Sequence, residues 1–256
     1  MLIIDSGIGG LSVLNNIKKE LPNIHYIYML DNEAFPYGKK RDNFIIKRMI
    51  KIINIIKKNY PIKIVILGCN TASTISLSIL RKFFNIPIIG VLPTLNTAIK
   101  TTKNKIIGLI ATEGTINSTY IKKMIYQSSF RYNIKIIATN ELAKIAEKKI
   151  RKLSISNAKL KKIFNPWILL PIPPDTIILG CTHFSFLKIE IKKNFYNQIN
   201  FIDPGEIITN ELKKTFCSEK IKKNILLCSK YNKKIKQLLF FLKKYEFKKI
   251  QEINLN

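Results

Sequence analysis

The chain has 256 residues, of which 46% are hydrophobic and 23% are charged, and its formal net charge is +28. This length is enough to bury a full hydrophobic core, and the composition excludes a disordered chain. No apolar run approaches the ~20 residues of a membrane span, and Asp5 interrupts the first apolar stretch, where a secretory signal would continue. We therefore expect a cytoplasmic protein with no membrane partner.

The high positive charge would attract polyanions such as nucleic acids. However, Lys, Ile and Asn are frequent along the whole chain, and the lysines recur on the polar sides of amphipathic segments. No aromatic-rich RNA platform, arginine arm or zinc finger occurs. We therefore expect a solvated basic surface without a dedicated nucleic-acid role.

Short β-branched segments alternate with helical patterns along most of the chain. In chain order the predicted strands are LIID, IHYIYML, IKIVILG, IPIIGV, KIIGLIA, IKIIA, TIILG, NFID and NILLC. A helical pattern follows each strand, for example TINSTYIKKMIYQSS after KIIGLIA and HFSFLKIEIKKNF after TIILG. Repeated strand–helix units predict mostly parallel sheets flanked by helices. Because this is a large number of strands for one sheet, we predict an α/β protein with two similar domains and an active site in the cleft between them. The predicted domains are residues 1–92 plus 206–256, and residues 93–205.

The segment DSGIGGLS (residues 5–12) follows the first strand and begins a helix, where a dinucleotide-binding turn would lie. Its glycine spacing departs from G-x-G-x-x-G, and Asp5 stands close to where a pyrophosphate would approach. We therefore expect no nucleotide cofactor. The segment instead predicts backbone N–H groups that hold a small anion such as a carboxylate.

Two segments, ILGCNTAS and ILGCTHFS, place Cys69 and Cys181 at the ends of predicted strands, directly before helical patterns. Open α/β sheets bind ligands at this end of their strands. The adjoining helix N-terminus favours thiolate over thiol. Hydrogen-bonding side chains beside the sulfurs come from Asn70, Thr71, Thr182 and His183.

Three kinds of chemistry use a cysteine pair. A metal site needs three or four ligands, but the chain has two histidines, His25 and His183, and no C-x-x-C spacing. A redox dithiol needs neighbouring cysteines or a thioredoxin-like motif, which is absent. Acid–base catalysis at carbon needs a thiolate on one side and a thiol on the other, without a cofactor or metal. We favour this third chemistry, and we expect Cys217, Cys228 and His25 to be structural.

The chain resembles the cofactor-independent glutamate racemases of the aspartate/glutamate racemase superfamily. The motifs that carry the resemblance are DSGIGGLSVL, NEAFPYGKK, CNTAST, IATEGTINSTY, ELAKIAEKK and PPDTIILGCTHFSFL, and together they span nearly the whole chain. The resemblance implies interconversion of L- and D-glutamate, with D-glutamate supplied to peptidoglycan. It also allows a homodimer.

The resemblance implies that Cys69 is the base for D-glutamate and Cys181 the base for L-glutamate. Asp5 and His183 would flank the two thiols, and Glu147 would assist. The implied substrate contacts are Asp5, Ser6, Tyr37, Gly38, Asn70, Thr71, Thr115, Thr182 and His183. From the residues alone, Tyr37 and Gly38 also fit a plain turn, and Glu147 also fits an exposed acid on a helix.

Two other functions stay open at this point. One is a racemase that acts on aspartate or another small acidic amino acid. The other is a basic nucleic-acid-binding protein that has kept the racemase scaffold without its activity. Turnover of each amino acid and salt-sensitive retention on DNA would separate these functions.

Overall fold

The structure is a computed structural model that describes residues 1–128, 130–196, 198–215 and 224–255. Cys217 lies outside the described residues. The strands are β1 (Leu2–Asp5), β2 (Ile27–Leu30), β3 (Val65–Leu67), β4 (Ile88–Gly90), β5 (Ile106–Ala111), β6 (Asn133–Ala138), β7 (Thr176–Gly180), β8 (Asn200–Ile202), β9 (Asn224–Cys228) and β10 (Phe247–Glu252).

The α-helices alternate with these strands. They are α1 (Gly10–Glu20), α2 (Asp42–Asn59), α3 (Asn70–Phe83), α4 (Leu95–Thr101), α5 (Glu113–Asn117), α6 (Thr119–Ser128), α7 (Glu141–Ile150), α8 (Asn157–Ile168), α9 (Lys188–Lys192), α10 (Pro204–Thr215) and α11 (Lys233–Leu242). Within the described ranges, no helix is both long enough and apolar enough to cross a bilayer.

The first sheet is parallel and has, over the described residues, the strand order β10-β9-β2-β1-β3-β4. Leu2 of β1 lies between Ile27 of β2 and Val65 of β3. Leu2 and Ile3 belong to different core clusters because successive side chains point to opposite faces of a sheet. Both faces are therefore covered by helices, as the apolar strands predict.

The second sheet is also parallel, with the described strands in the order β6-β5-β7-β8. Ile107 of β5 pairs with Thr176 of β7, and Ile106 pairs with Asn133 of β6. The two sheets confirm the predicted α/β class with two parallel sheets. The predicted domain limits at residues 92 and 206 stay predictions, and the second of them falls within α10.

Two predicted helices differ from the structure. The pattern TINSTYIKKMIYQSS forms α5 and α6 rather than one helix, because Ser118 is extended and its hydroxyl accepts a hydrogen bond from the N–H of Ile121. The pattern HFSFLKIEIKKNF begins as a 3₁₀-helix at Thr182–Leu187 and continues as the short α9. The tight first turn determines where the side chains of residues 182 and 183 lie.

Two elements have no counterpart in the predicted series. Helix α8 contains Pro166, and proline usually interrupts a helix. The helix nevertheless buries Leu160, Phe164 and Trp167 in the core beside the second sheet. Strand β10 has a Lys-rich sequence and extends the first sheet beside β9. Tertiary packing therefore outweighs local sequence preference in both elements.

Candidate active site

The carboxyl ends of inner strands from both sheets carry the predicted cysteines. Cys69 follows β3, which pairs with β1, and is the N-cap residue of α3. Cys181 follows β7, which pairs with β5, and precedes the 3₁₀-helix. Both cysteines are buried and free. His25 lies at the opposite, amino end of β2, and Cys228 is buried in the core, as expected for structural residues.

Asp5 joins the two sheets at the site. It is fully buried at the end of β1, where its Oδ2 accepts a hydrogen bond from the hydroxyl of Thr182 at 3.1 Å. Its Oδ1 accepts one from the N–H of Gly7 at 3.1 Å, and Ser6 lies beside it with its hydroxyl 3.4 Å from Oδ1. Burial raises the pKa of Asp5 to about 6, although the nearby charge of His183 opposes this shift.

A continuous chain of polar contacts leads away from Cys181. The Nδ1 of His183 lies 3.9 Å from the Cys181 Sγ, and its Nε2 lies 3.1 Å from Oε1 of Glu147. The other oxygen of Glu147, Oε2, forms an ion pair with Arg151 one turn further along α7. Glu147 is only 7% exposed, so the alternative of an exposed helix acid is wrong.

The charges in this chain of contacts stabilise one another. Burial opposes the charged form of His183, but its hydrogen bonds to Cys181 and Glu147 outweigh burial and hold the pKa of His183 well above its ordinary value. Burial also opposes the charged form of Glu147, but His183 and Arg151 lower the pKa of that carboxyl on balance. Cys181 therefore lies beside an imidazole that its surroundings hold in the positively charged form.

Cys69 differs from the expectation that a helix N-terminus would favour its thiolate. Burial raises the pKa of Cys69 well above the ordinary thiol value, and the charges of Asp5 and Cys181 raise it further. The N–H groups of Thr71 and Ala72 act in the expected direction but are outweighed. The surroundings of Cys69 therefore favour its thiol form.

The glycine-rich turn holds carboxylates of the chain itself. The N–H of Gly7 donates to Asp5, and the N–H of Ile8 donates to Oε1 of Glu147 at 2.9 Å. The N–H groups predicted to hold a carboxylate thus bind carboxylates of the chain's own side chains at Gly7 and Ile8. A Cβ at Gly7 would lie 2.5 Å from Glu147 and 2.6 Å from His183, so glycine is needed for this close approach.

Tyr37 and Gly38 form a short 3₁₀-helix after Pro36. The hydroxyl of Tyr37 donates to Oδ2 of Asp31 at 2.7 Å, and Arg48 binds both oxygens of the same carboxylate. This buried network anchors the segment and leaves its backbone facing the second sheet, where Gly38 packs against Thr112. The Tyr37 hydroxyl is therefore occupied by the protein.

Three hydroxyls meet where the two sheets face each other. Thr71 lies 2.8 Å from Thr112 and 3.0 Å from Thr115, and the last two lie 2.9 Å apart. We call these residues the threonine triangle. Asn70, beside Thr71, donates to the carbonyl of Val91, while its buried Oδ1 has no hydrogen-bond partner. The structure thus places Thr115 within hydrogen-bonding distance of Thr71, next to Asn70.

Sequence reasoning missed Thr112, Asn140 and Arg151. Thr112 and Asn140 come just after β5 and β6, at the same sheet edge as Cys181, and that position could have identified them. Arg151 stands four residues after Glu147, a spacing that places both side chains on one face of a helix.

The chain is similar to known proteins over nearly its whole length. A sequence model of the family described as Asp/Glu/Hydantoin racemase matches residues 2–212. A glutamate racemase of Buchnera aphidicola subsp. Schizaphis graminum is 75% identical over 256 residues and 100% of both chains. A glutamate racemase of Photorhabdus laumondii is 39% identical over 99% of this chain and 90% of its own.

The fold also matches solved structures. Escherichia coli glutamate racemase in complex with L-glutamate and the activator UDP-MurNAc-ala superposes with a TM-score of 0.94 at 36% identity, covering 99% of this chain and 97% of that chain. Glutamate racemase isoform RacE1 of Bacillus anthracis gives a TM-score of 0.84 at 27% identity, covering 99% and 97%. The resemblance to glutamate racemases is confirmed, and the chain is an enzyme that belongs to the Asp/Glu/Hydantoin racemase family.

Proposed function

We propose that this racemase interconverts L- and D-glutamate with two cysteines and no cofactor. One thiolate removes the α-proton from one face of the substrate, and the opposite thiol delivers a proton to the other face. The electron pair left at the α-carbon is delocalised into the adjoining carboxylate until the second proton arrives. Cys69 is the base for D-glutamate, and Cys181 is the base for L-glutamate.

The observation that carries this proposal is the placement of two buried thiols, one from each sheet, at the same junction. Thr182, next to Cys181, donates to Asp5 of the first sheet, and Thr71, two residues after Cys69, lies 2.8 Å from Thr112 of the second. A thiol and a thiolate at one site meet the basic requirement of a two-base reaction. The pair titrates as a coupled system, so its rate depends on pH through macroscopic pKa values.

The polar neighbours have distinct roles in this proposal. His183 holds a proton beside Cys181 and stabilises its thiolate, while Glu147 stabilises the charged imidazole. Asp5 and Thr182 connect the two halves of the site through their hydrogen bond. The α-amino and α-carboxylate groups of glutamate are bound by Asp5, Ser6, Asn70, Thr71, Thr182 and His183, with Tyr37, Gly38 and Thr115 further along the substrate.

Glutamate is the substrate that the relatives support. The E. coli protein, similar over nearly its whole length, is described as a complex with L-glutamate. We further propose that the D-glutamate product supplies peptidoglycan synthesis and that the enzyme acts in the cytoplasm. Three free cysteines among the described residues suit a reducing compartment. A homodimer stays a prediction.

Replacing each cysteine tests the two-base proposal. Cys69→Ala and Cys181→Ala each remove either the base or the acid in both directions, so each should lower glutamate racemisation by at least about 10³-fold. Circular dichroism of the product mixture measures the rate. Cys228→Ala, at a buried cysteine outside the site, is the matched control and should stay within a few-fold of wild type.

Substantial racemisation by either cysteine variant would contradict the paired assignment. Wild-type turnover of aspartate without turnover of glutamate would contradict the substrate. Loss of activity in Cys228→Ala equal to that in the other two variants would assign their defects to folding.

A further inference from the structure

Asn140 is a buried polar side chain without a protein partner. The residue is 3% exposed, and neither its Nδ2 nor its Oδ1 forms a hydrogen bond. A buried amide that gives up water without gaining a partner destabilises the fold, so such groups are rare in native proteins. The buried amide of Asn140 therefore indicates that a ligand completes its hydrogen bonds.

The usual structural reason for an asparagine at this position does not apply. Asn140 is the N-cap residue of α7, but its side chain makes no capping hydrogen bond. The neighbouring hydroxyl of Thr139 instead accepts the hydrogen bond from the N–H of Glu141 at 3.1 Å. The amide of Asn140 is therefore not used to begin the helix.

The amide lies at the junction of the two sheets. A Cβ built on Gly38 would come 2.5 Å from Oδ1 of Asn140 and 2.6 Å from Cβ of Thr112. Gly38 belongs to the segment after β2 of the first sheet, whereas residues 112 and 140 follow β5 and β6 of the second. Asn140 thus reaches across the junction beside the threonine triangle.

We propose that Asn140 is a substrate-binding residue whose Nδ2 donates a hydrogen bond to the distal carboxylate of glutamate. Primary amides and hydroxyls bind a carboxylate through N–H and O–H donors without adding a competing charge. The threonine triangle supplies the hydroxyls, and the missing side chain at Gly38 lets the Asn140 amide pack closely against this segment. The inference rests on the proposed function and extends it to the recognition of the substrate side chain.

The strand order indicates which carboxylate is bound. Asn140 follows β6, and Cys181 follows β7, two strands away in the order β6-β5-β7, which corresponds to roughly 10 Å across the sheet. The α-carboxylate is attached to the reacting carbon and must stay beside the sulfurs. The distal carboxylate extends away from them, and in aspartate, one methylene shorter, it falls short of Asn140. Asn140 therefore contributes to the choice of glutamate over aspartate.

Two substitutions test this inference. Asn140→Ala removes a hydrogen bond to a charged group and should raise KM for glutamate roughly 10- to 100-fold, with kcat within a few-fold of wild type. Asn140→Asp places a like charge against the substrate and should raise KM further. The inhibition constant of aspartate should change little in Asn140→Ala.

Thr139→Ala is the matched control, because it removes the helix cap beside Asn140 and leaves the amide in place. It should lower the melting temperature without raising KM. An unchanged KM in Asn140→Ala, measured with a wild-type enzyme that racemises glutamate, overturns this inference and leaves the proposed function standing. Equal increases of KM in Thr139→Ala and Asn140→Ala also overturn it, because they assign the effect to α7. A wild-type enzyme inactive on glutamate overturns the proposed function, and this inference with it.

Discussion

The site contains two thiols whose surroundings differ. Cys181 lies beside an imidazole that its contact with Glu147 helps keep charged, whereas Cys69 is buried within the field of the Asp5 carboxylate. Burial and the charge of Asp5 thus favour the protonated form of Cys69 before substrate binds. Because the two enantiomers of glutamate have equal free energies, this asymmetry cannot change the overall equilibrium. It determines instead how the enzyme is distributed between its two protonation states.

The protonation of His183 can be tested directly. Glu147→Gln removes the negative charge that stabilises the imidazolium, so the pKa of His183 should fall, and kcat/KM should drop roughly 10-fold. NMR titration of the imidazole protons is simple because the chain has two histidines. In wild type the two should titrate apart, since burial and the N-terminal charge lower the pKa of His25.

Glu141→Gln is the control for this variant. It changes an exposed acid on the same helix, which is paired with Lys144. It should leave the titration of His183 unchanged. A His183 that titrates at or below its ordinary value in wild type would contradict the proposed role of Glu147.

Sequence alone identified the residues whose chemistry is distinctive. Cys69, Cys181 and His183 stand out by type and position. The direction of the pKa shift at Cys69 could not be predicted, because it depends on burial and on the charge of Asp5 in the folded protein. Asn140 and Thr112 are common residue types, so their chemistry did not single them out, and only their position after β5 and β6 could have done so.

Among the elements, the glycine-rich turn and the 3₁₀-helix after β7 depend on each other. Ser12 donates to the carbonyl of Thr182 at 3.1 Å, and Ile8 donates to Glu147, so both contacts join the two sheets. The backbone of Gly9 has ordinary helical angles that any residue adopts. Its lack of a side chain matters because a Cβ would overlap His183 and Thr182.

Gly9→Ala should therefore damage the site without straining its own backbone. The added methyl group displaces His183 from Cys181, and we expect kcat/KM to fall about 100-fold, as measured by initial rates. Gly205→Ala is the control, since its Cβ would approach the Oδ1 of Asp203 no closer than 3.2 Å. Wild-type activity in Gly9→Ala would show that the two elements move apart during turnover.

The alternation of strands and helices was predictable because nearly every strand is a short apolar segment. Helix α8 and strand β10 were not, since Pro166 and a run of lysines conceal their patterns. The division between α5 and α6 depends on the hydroxyl of Ser118, which is also compatible with a continuous helix. Packing and capping together therefore determine where such helices begin and end.

For the whole molecule, the main feature is that two parallel sheets bring the carboxyl ends of their strands together. The first sheet contributes Asp5 and Cys69, and the second contributes Cys181 and His183. Each half supplies one thiol, so neither is expected to racemise alone. We expect the lysines behind the net charge of +28 to form a solvated surface.

Isotope incorporation tests the opposed thiols most directly. L-glutamate and D-glutamate are incubated separately in deuterium oxide, and the enantiomers are separated early and analysed by mass spectrometry. Two opposed thiols predict deuterium at the α-carbon of the product enantiomer, with little in recovered substrate, from either starting enantiomer. Deuterium appearing in recovered substrate as fast as in product would show that a single group exchanges the proton, and would contradict a base on each side of the substrate.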